Sequence, residues 1–209
     1  MRKLAYLFCV CCFALGAGPA QAQGALFDAV AAGKLPEAER LIRAGAAVNA
    51  RNEDAETPLY VAAEKGDSAI AAVLLRHGAD VNIPTLNGET ALHAAALNGD
   101  AGVMMLLLEH GAAVNRANRD GERPLFWAAA AGHGRAAKLL LERGADLNAV
   151  DEQGNSALHG AVDGGHESAA RLLLSQGAKQ NLRNVADQTA LDIARRRGFS
   201  ELVKLLQTR

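Results

Sequence analysis

Histidines are the residues in this 209-residue chain whose side chains most readily hold a metal ion or transfer a proton at neutral pH. The six of them form three pairs whose members stand 33 or 66 residues apart: His77 with His110, His133 with His166, and His93 with His159. Equivalent positions in a regular helical stack lie about 10 Å apart by the spacing of packed helices. Zinc ligands lie about 2 Å from one shared ion. The spacing therefore argues against a metal site.

Other catalytic patterns are missing from the sequence. It contains no H-E-x-x-H, phosphate-binding loop, G-x-S-x-G or dinucleotide fingerprint. Its 22 Lys+Arg against 23 Asp+Glu also exclude a strongly basic nucleic-acid binder. We therefore expect a protein that is not an enzyme, with no catalytic residues, no cofactor, no metal and no nucleic-acid partner.

The first 22 residues have the pattern of an export signal. Arg2 and Lys3 precede an uncharged stretch over 4–18, and an A-x-A site ends at Ala22. The uncharged run of 15 residues is shorter than the about 20 that cross a bilayer, so we expect cleavage after Ala22; an uncleaved anchor is the weaker alternative. Cleavage would leave 23–209 in the periplasm or secreted, without a membrane segment and without the three cysteines Cys9, Cys11 and Cys12.

Two markers repeat every 33 residues through the rest of the chain. The first is a T-P-L-H-like motif, and the second is a Gly-Ala pair followed, four residues after its glycine, by asparagine. The motif begins at Thr57, Thr90, Arg123, Ser156 and Thr189, and the pair at Gly45, Gly78, Gly111, Gly144 and Gly177. A fixed period of this length indicates a repeat protein.

These residues resemble the ankyrin-repeat family, whose 33-residue unit carries T-P-L-H-x-A. The resemblance covers nearly all of 23–209 and implies an all-α repeat solenoid: a stack of helix-turn-helix units with projecting β-hairpin loops. The repeats are predicted at 23–51, 52–84, 85–117, 118–150, 151–183 and 184–209, forming one ankyrin-repeat domain.

The residues also favour this architecture on physical grounds. Thr or Ser at the motif's first position suits a helix N-cap, and Pro58 and Pro124 directly after it need no N–H partner. Glycines near 66, 99, 132, 165 and 198 are expected to end the first helices. Ala55 and Asp187 stand where other hairpins have glycine, so those two hairpins are expected to be less regular. Gly24 stands where the other repeats have a capping hydroxyl, and the first repeat carries Lys34, Glu37, Glu39 and Arg40. These charged residues, and Arg195–Arg197 in the last repeat, are expected to face water.

Three further features have competing interpretations. Trp127 has the small Ala94 and Gly160 as its equivalents in the neighbouring repeats, which favours packing over an exposed contact. Tyr60 and Phe126 are open between packing and partner contact. Met104 and Met105 are expected to fill the core.

The resemblance places partner contacts on the hairpin tips and the exposed side of the first helices. The predicted partner-binding residues are Glu53, Asp54, Glu56, Tyr60, Glu64, Leu86, Asn87, Glu89, Leu97, Asn98, Arg119, Asp120, Glu122, Phe126, Glu152, Gln153, Asn155 and Asp163. Seven tip residues are acidic and one is basic, which suggests a partner with a basic surface; the alternative is that the loops are polar only because they are solvated. Changing Glu53, Glu56, Glu89 and Glu122 to lysine is expected to weaken binding and leave helicity unchanged.

The expected function is a non-catalytic scaffold in the periplasm that binds a protein through the tips and the concave first-helix face, as a monomer. Two alternatives remain: an immunity protein that neutralises an exported toxin, and an accessory factor that protects a periplasmic stress enzyme. The sequence does not choose between them, because function in repeat folds depends on surface residues.

Overall fold

The computed structural model describes the backbone of residues 19–207 and the side chains of residues 24–207. This part of the chain contains twelve α-helices: α1 Pro19–Ala31, α2 Leu35–Arg43, α3 Pro58–Lys65, α4 Ser68–Arg76, α5 Ala91–Asn98, α6 Ala101–Glu109, α7 Pro124–Ala130, α8 Gly134–Glu142, α9 Ala157–Asp163, α10 Glu167–Ser175, α11 Ala190–Arg197 and α12 Ser200–Gln207. Most of the predicted export signal, residues 1–18, lies outside the described residues.

Local capping explains where the helices begin. Thr57 Oγ1 accepts a hydrogen bond from the Tyr60 N–H at 3.1 Å, which satisfies one of the free donors at the start of α3. In the second helices, Asp67 and Asp100 do the same for the Ile70 and Val103 N–H groups, at 2.9 and 2.8 Å. The expected glycine ends are confirmed; Gly66, for example, has φ 69° directly after α3.

The helices pack in two layers. The odd-numbered helices α1 to α11 each contact the next in one layer, and the even-numbered helices α2 to α12 do so in the other. Leucines and alanines of both layers, such as Leu59, Leu92, Ala95 and Leu140, are between 0 and 1 % exposed. One helix pair cannot bury both of its apolar faces, so stability comes from stacking. The predicted all-α repeat solenoid is confirmed.

Asparagine side chains join one repeat to the next. Asn82 donates from Nδ2 to the Gly111 carbonyl at 3.1 Å and accepts from the Ala113 N–H at 2.9 Å. Asn49 and Asn115 make the same pair of bonds with their following repeats. The asparagine of the 33-residue marker is therefore an inter-repeat connector.

The hairpin loops project from the ends of the helix pairs. Each of the five is closed by a backbone bond of 2.8 to 3.1 Å, as from the Thr85 N–H to the Glu89 carbonyl. Neighbouring hairpins are also joined, for example by the Leu86 N–H to the Asp54 carbonyl at 3.0 Å. The tips therefore form one continuous hydrogen-bonded row.

The expectation that two hairpins are less regular is wrong. Ala55 and Asp187 adopt the left-handed conformation, with φ 60° and 57°, and their loops are closed by the same bond as the glycine hairpins, at 3.1 Å. Each has an arginine four residues earlier that donates to its carbonyl: Arg51 at 3.2 Å and Arg183 at 2.6 Å. These arginines support a conformation that costs a non-glycine residue about 1–2 kcal/mol.

Two smaller expectations also change, those for Gly24 and Met105. Gly24 lies inside α1 rather than at its start, because the preceding Ala and Gln residues are compatible with helix. Met104 is fully buried as expected, whereas Met105 is 44 % exposed on the outer layer. Arg195–Arg197 are exposed as expected. Within 19–207, none of the helices is both long and apolar enough to span a membrane.

Candidate protein-binding face

The eighteen predicted contact residues share one side of the stack but differ in exposure. Tyr60 is buried, and six residues are half-buried: Glu56, Glu89, Glu122, Phe126, Asn155 and Asp163. The remaining eleven are exposed: Glu53, Asp54, Glu64, Leu86, Asn87, Leu97, Asn98, Arg119, Asp120, Glu152 and Gln153. The acidic tip residues therefore do not form one class.

Three of the acidic residues hold the structure together. Glu56 accepts from Asn52 Nδ2 at 2.7 Å, and Glu89 accepts from the Tyr60 hydroxyl at 2.9 Å. Glu122 Oε2 accepts from Asn118 Nδ2 at 3.0 Å and from Trp127 Nε1 at 2.8 Å. Changing these glutamates to lysine would break internal hydrogen bonds as well as reverse charge, so a loss of binding in such a variant would not report on partner contact alone. The expected unchanged helicity stays a prediction.

Four other acidic residues are exposed at the tips. Glu53, Asp54, Asp120 and Glu152 project along the row of hairpins, and Arg119 is the basic residue among them. We call these four the tip carboxylates. They are exposed acidic residues of the tips that can contact a partner; Glu64, near the end of α3, is exposed as well.

Tyr60 and Phe126, for which the sequence allowed either packing or partner contact, differ in burial. Tyr60 packs in the core with 8 % exposure, and burial, reinforced by the Glu89 carboxylate, raises the pKa of its hydroxyl. Phe126 is half-buried on the concave face. A Cβ added at Gly160 would lie 3.1 Å from Phe126 Cε2, so Gly160 accommodates Phe126 rather than Trp127.

Trp127 has a structural role, as expected, but with a different neighbour. Its ring is edge-on to His93, with centroids 5.5 Å apart and an interplanar angle of 77°. Together with its hydrogen bond to Glu122, this contact fixes the ring at the boundary between α5 and α7.

His93 and His159 are connectors between repeats. His93 Nδ1 accepts from the Thr90 N–H at 3.1 Å, so its Nε2 carries the proton and donates to the Glu122 carbonyl at 3.2 Å. His159 makes the equivalent bonds with Ser156 and Gln188, at 3.1 and 3.2 Å. This role was not predicted from the sequence, although the 29-residue separation of donor and acceptor recurs in both.

Burial determines how these histidines titrate. It lowers the pKa of His93 from 6.5 to about 4, and it also lowers the pKa of His159. Both rings are therefore neutral at pH 7. Among the residues that the structure describes, no cluster of three or more His, Cys, Asp or Glu side chains is arranged to hold a metal ion.

A groove of about 400 Å³ lies on the concave face between α7, α9 and α11. Phe126, Gly160, Asp163, Arg196 and Arg197 are among the residues that line it. This groove was not predicted from the sequence. The sequence feature that could have indicated the groove is Gly160, a glycine inside a first helix. The equivalent residues of the other repeats are Val61, Ala94, Trp127 and Ile193.

Two family models of ankyrin repeats match most of the chain. The model that describes three repeat copies matches residues 77–151 and 143–209. The model that describes many copies matches residues 41–95. The chain belongs to the ankyrin-repeat family. Ankyrin repeats generally mediate protein–protein interaction and are typically non-catalytic, which suits an exposed row of tips above a helical concave face. No curated protein matches this ankyrin-repeat chain in sequence.

Proposed function

We propose that the protein is a periplasmic scaffold that binds a protein partner through its tip carboxylates and concave face. The observation that carries the proposal is the division of the acidic residues into two sets. Glu56, Glu89 and Glu122 are engaged internally, whereas the tip carboxylates are exposed. Internal structure alone does not account for the second set.

The proposed partner has a basic surface opposite the tips. Exposed carboxylates in a row attract such a surface over several ångströms and speed its association, and salt screens that attraction. Binding should therefore weaken as ionic strength rises.

Affinity capture with matched charge variants tests the proposal. Glu53→Lys with Glu152→Lys reverses two tip carboxylates, and Glu109→Lys with Glu142→Lys reverses two exposed glutamates at the ends of α6 and α8. Each pair of substitutions changes the net charge equally. We expect the tip variant to lose a periplasmic protein that both the unchanged protein and the control variant retain. Equal capture by both variants would contradict the proposal.

Location and assembly are part of the same proposal and are tested separately. The export signal should be cleaved after Ala22, which N-terminal sequencing of the periplasmic protein would detect; a retained N-terminus would favour the anchor. We also propose a monomer, since both ends of the stack carry exposed charged residues. Sedimentation of the purified protein would measure this.

The two alternatives predict different phenotypes. An immunity protein should have one tight partner that is toxic when made alone. An accessory factor for a stress enzyme should instead co-purify with that enzyme, and its deletion should sensitise the cell to the corresponding stress. The same capture experiment supplies the partner for both tests.

A further inference from the structure

Two residues shape one side of the groove between α7, α9 and α11. Gly160 has no side chain, and Phe126 leans over it from the preceding repeat, so the ring forms one apolar wall. In the adjacent repeats, the position of Gly160 is occupied by Trp127 and Ile193. We call this concavity the Gly160 groove. Its volume of about 400 Å³ is sufficient for one large side chain.

Most polar groups in the Gly160 groove are already engaged. Both ring nitrogens of His159 are in hydrogen bonds within the fold. Asn184 donates to Asn155 Oδ1 at 3.0 Å. Arg197 binds both oxygens of Asp163, at 2.9 and 2.6 Å. These groups shape the groove and are not its recognition elements.

Arg196 differs from these groups. It approaches Asp163 Oδ1 only to 3.7 Å, with 56 % of its side chain exposed, while Arg197 already binds that carboxylate in bidentate geometry. The charged lining residues are therefore two arginines and one aspartate, with a net charge of +1. The groove thus combines an apolar wall with a cation at its rim, opposite in sign to the tip carboxylates.

We propose that the Gly160 groove binds a segment of the partner that carries a large apolar side chain next to a carboxylate. The apolar side chain lies against Phe126 over Gly160, and the carboxylate pairs with Arg196. The inference deepens the proposed function and rests on it: the bound partner is basic where it meets the tips and acidic at the groove.

Short peptides test the groove without the partner. The probes are acetyl-Leu-Glu-amide, acetyl-Leu-Gln-amide, which lacks the charge, and acetyl-Ala-Glu-amide, which lacks the large side chain. Titration is followed in the amide NMR spectrum of the full purified protein. We expect saturable shifts at Gly160, Gly164 and Arg196 with the first probe. Binding of either control probe should be about tenfold weaker, as for the loss of one charge-assisted bond or one buried side chain.

Variants identify the residues responsible. Arg196→Gln should weaken the first probe about tenfold and leave the uncharged probe unchanged. Arg195→Gln is the matched control, because Arg195 is on the same helix and pairs with Asp192 at 3.8 Å. Gly160→Ala should fold, since the residue is inside α9 and alanine favours helix. Its Cβ would displace Phe126 and weaken both leucine probes.

Equal binding of the three probes, shifts confined to other parts of the protein, or no shift up to the solubility limit would overturn the inference. The outcome is separate from that of the proposed function. The variant Glu53→Lys with Glu152→Lys should bind the probes as the unchanged protein does, even where it loses the partner. Retained capture of the partner by this variant, together with intact probe binding, would count against the proposed role of the tips and leave the groove inference standing.

Discussion

His93 and His159 occupy the same position of the repeat, yet their surroundings differ. His93 contacts the hairpin 118–122 and the ring of Trp127. Above His159 lies the hairpin 184–188, and the ring borders the Gly160 groove. We call these the His93 region and the His159 region. The repeat motif supplies the same two hydrogen bonds to both. Trp127 lies beside His93, whereas the equivalent residue 34 positions after His159 is the smaller Ile193, which lines the groove.

The largest expected effect distinguishes the two histidines directly. His93→Ala removes a ring that is 0 % exposed and leaves two polar groups without their partner, at a cost of about 4 kcal/mol. His159→Ala should cost about 2 kcal/mol, because water in the adjoining groove can replace the lost bonds. Urea unfolding of both variants measures the difference. Equal losses would mean that the two regions are equally packed.

The second prediction concerns acid. The unfolded chain protonates His93 near pH 6.5 and the folded protein only near about pH 4. Unfolding therefore takes up a proton between these pH values. The contribution of neutral, buried His93 to the free energy of unfolding is complete above pH 6.5 and is lost as pH falls towards 4. The size is about 3 kcal/mol. His93→Gln should remove this pH dependence from urea unfolding curves, and a curve parallel to the unchanged protein would refute the assignment.

The third prediction concerns the hairpin 118–122, which contacts His93. Gly121 has φ 79°, and a Cβ there would lie 2.8 Å from the Glu152 nitrogen of the next hairpin. Gly121→Ala should therefore destabilise the protein by about 2 kcal/mol, through backbone strain and the collision. Thermal unfolding checks this. A loss below about 0.5 kcal/mol, as at ordinary surface sites, would show that the hairpin row is more tolerant than its geometry indicates.

The smallest effect has the opposite sign. Asp187 holds φ 57° in the last hairpin, and its side chain is 86 % exposed. Asp187→Gly should stabilise the protein by about 0.5–1 kcal/mol, because glycine adopts this conformation without steric cost. Unfolding in urea measures it, with Asp187→Ala as the control that keeps the strain. Equal stability of both variants would show that the strain is already relieved by Arg183.

The repeat period predicted the fold because it specifies local structure and stacking together. Thr57 caps a helix, Gly66 ends it, and Asn82 joins two repeats, each at the same place in every unit. The hairpin strain was misjudged because Arg51 and Arg183 compensate through contacts that a turn pattern does not include.

The binding face was predicted less completely. The sequence identified the acidic tips, but it did not separate Glu53 from Glu89, since the partner of Glu89 is Tyr60 in the preceding repeat. The Gly160 groove also depends on where Phe126 lies relative to the next helix. Such neighbours in adjacent repeats are 29 to 34 residues apart in the chain. The motif of a single repeat therefore does not predict these contacts.

Hydrogen–deuterium exchange of the protein with and without its captured partner tests the central claim most directly. The account predicts slower exchange on binding at the hairpin tips 53–54, 119–120 and 152–153 and in α9 and α11, with α4, α6 and α8 unchanged. Protection confined to α4, α6 and α8 would place the partner on the opposite face and contradict the account.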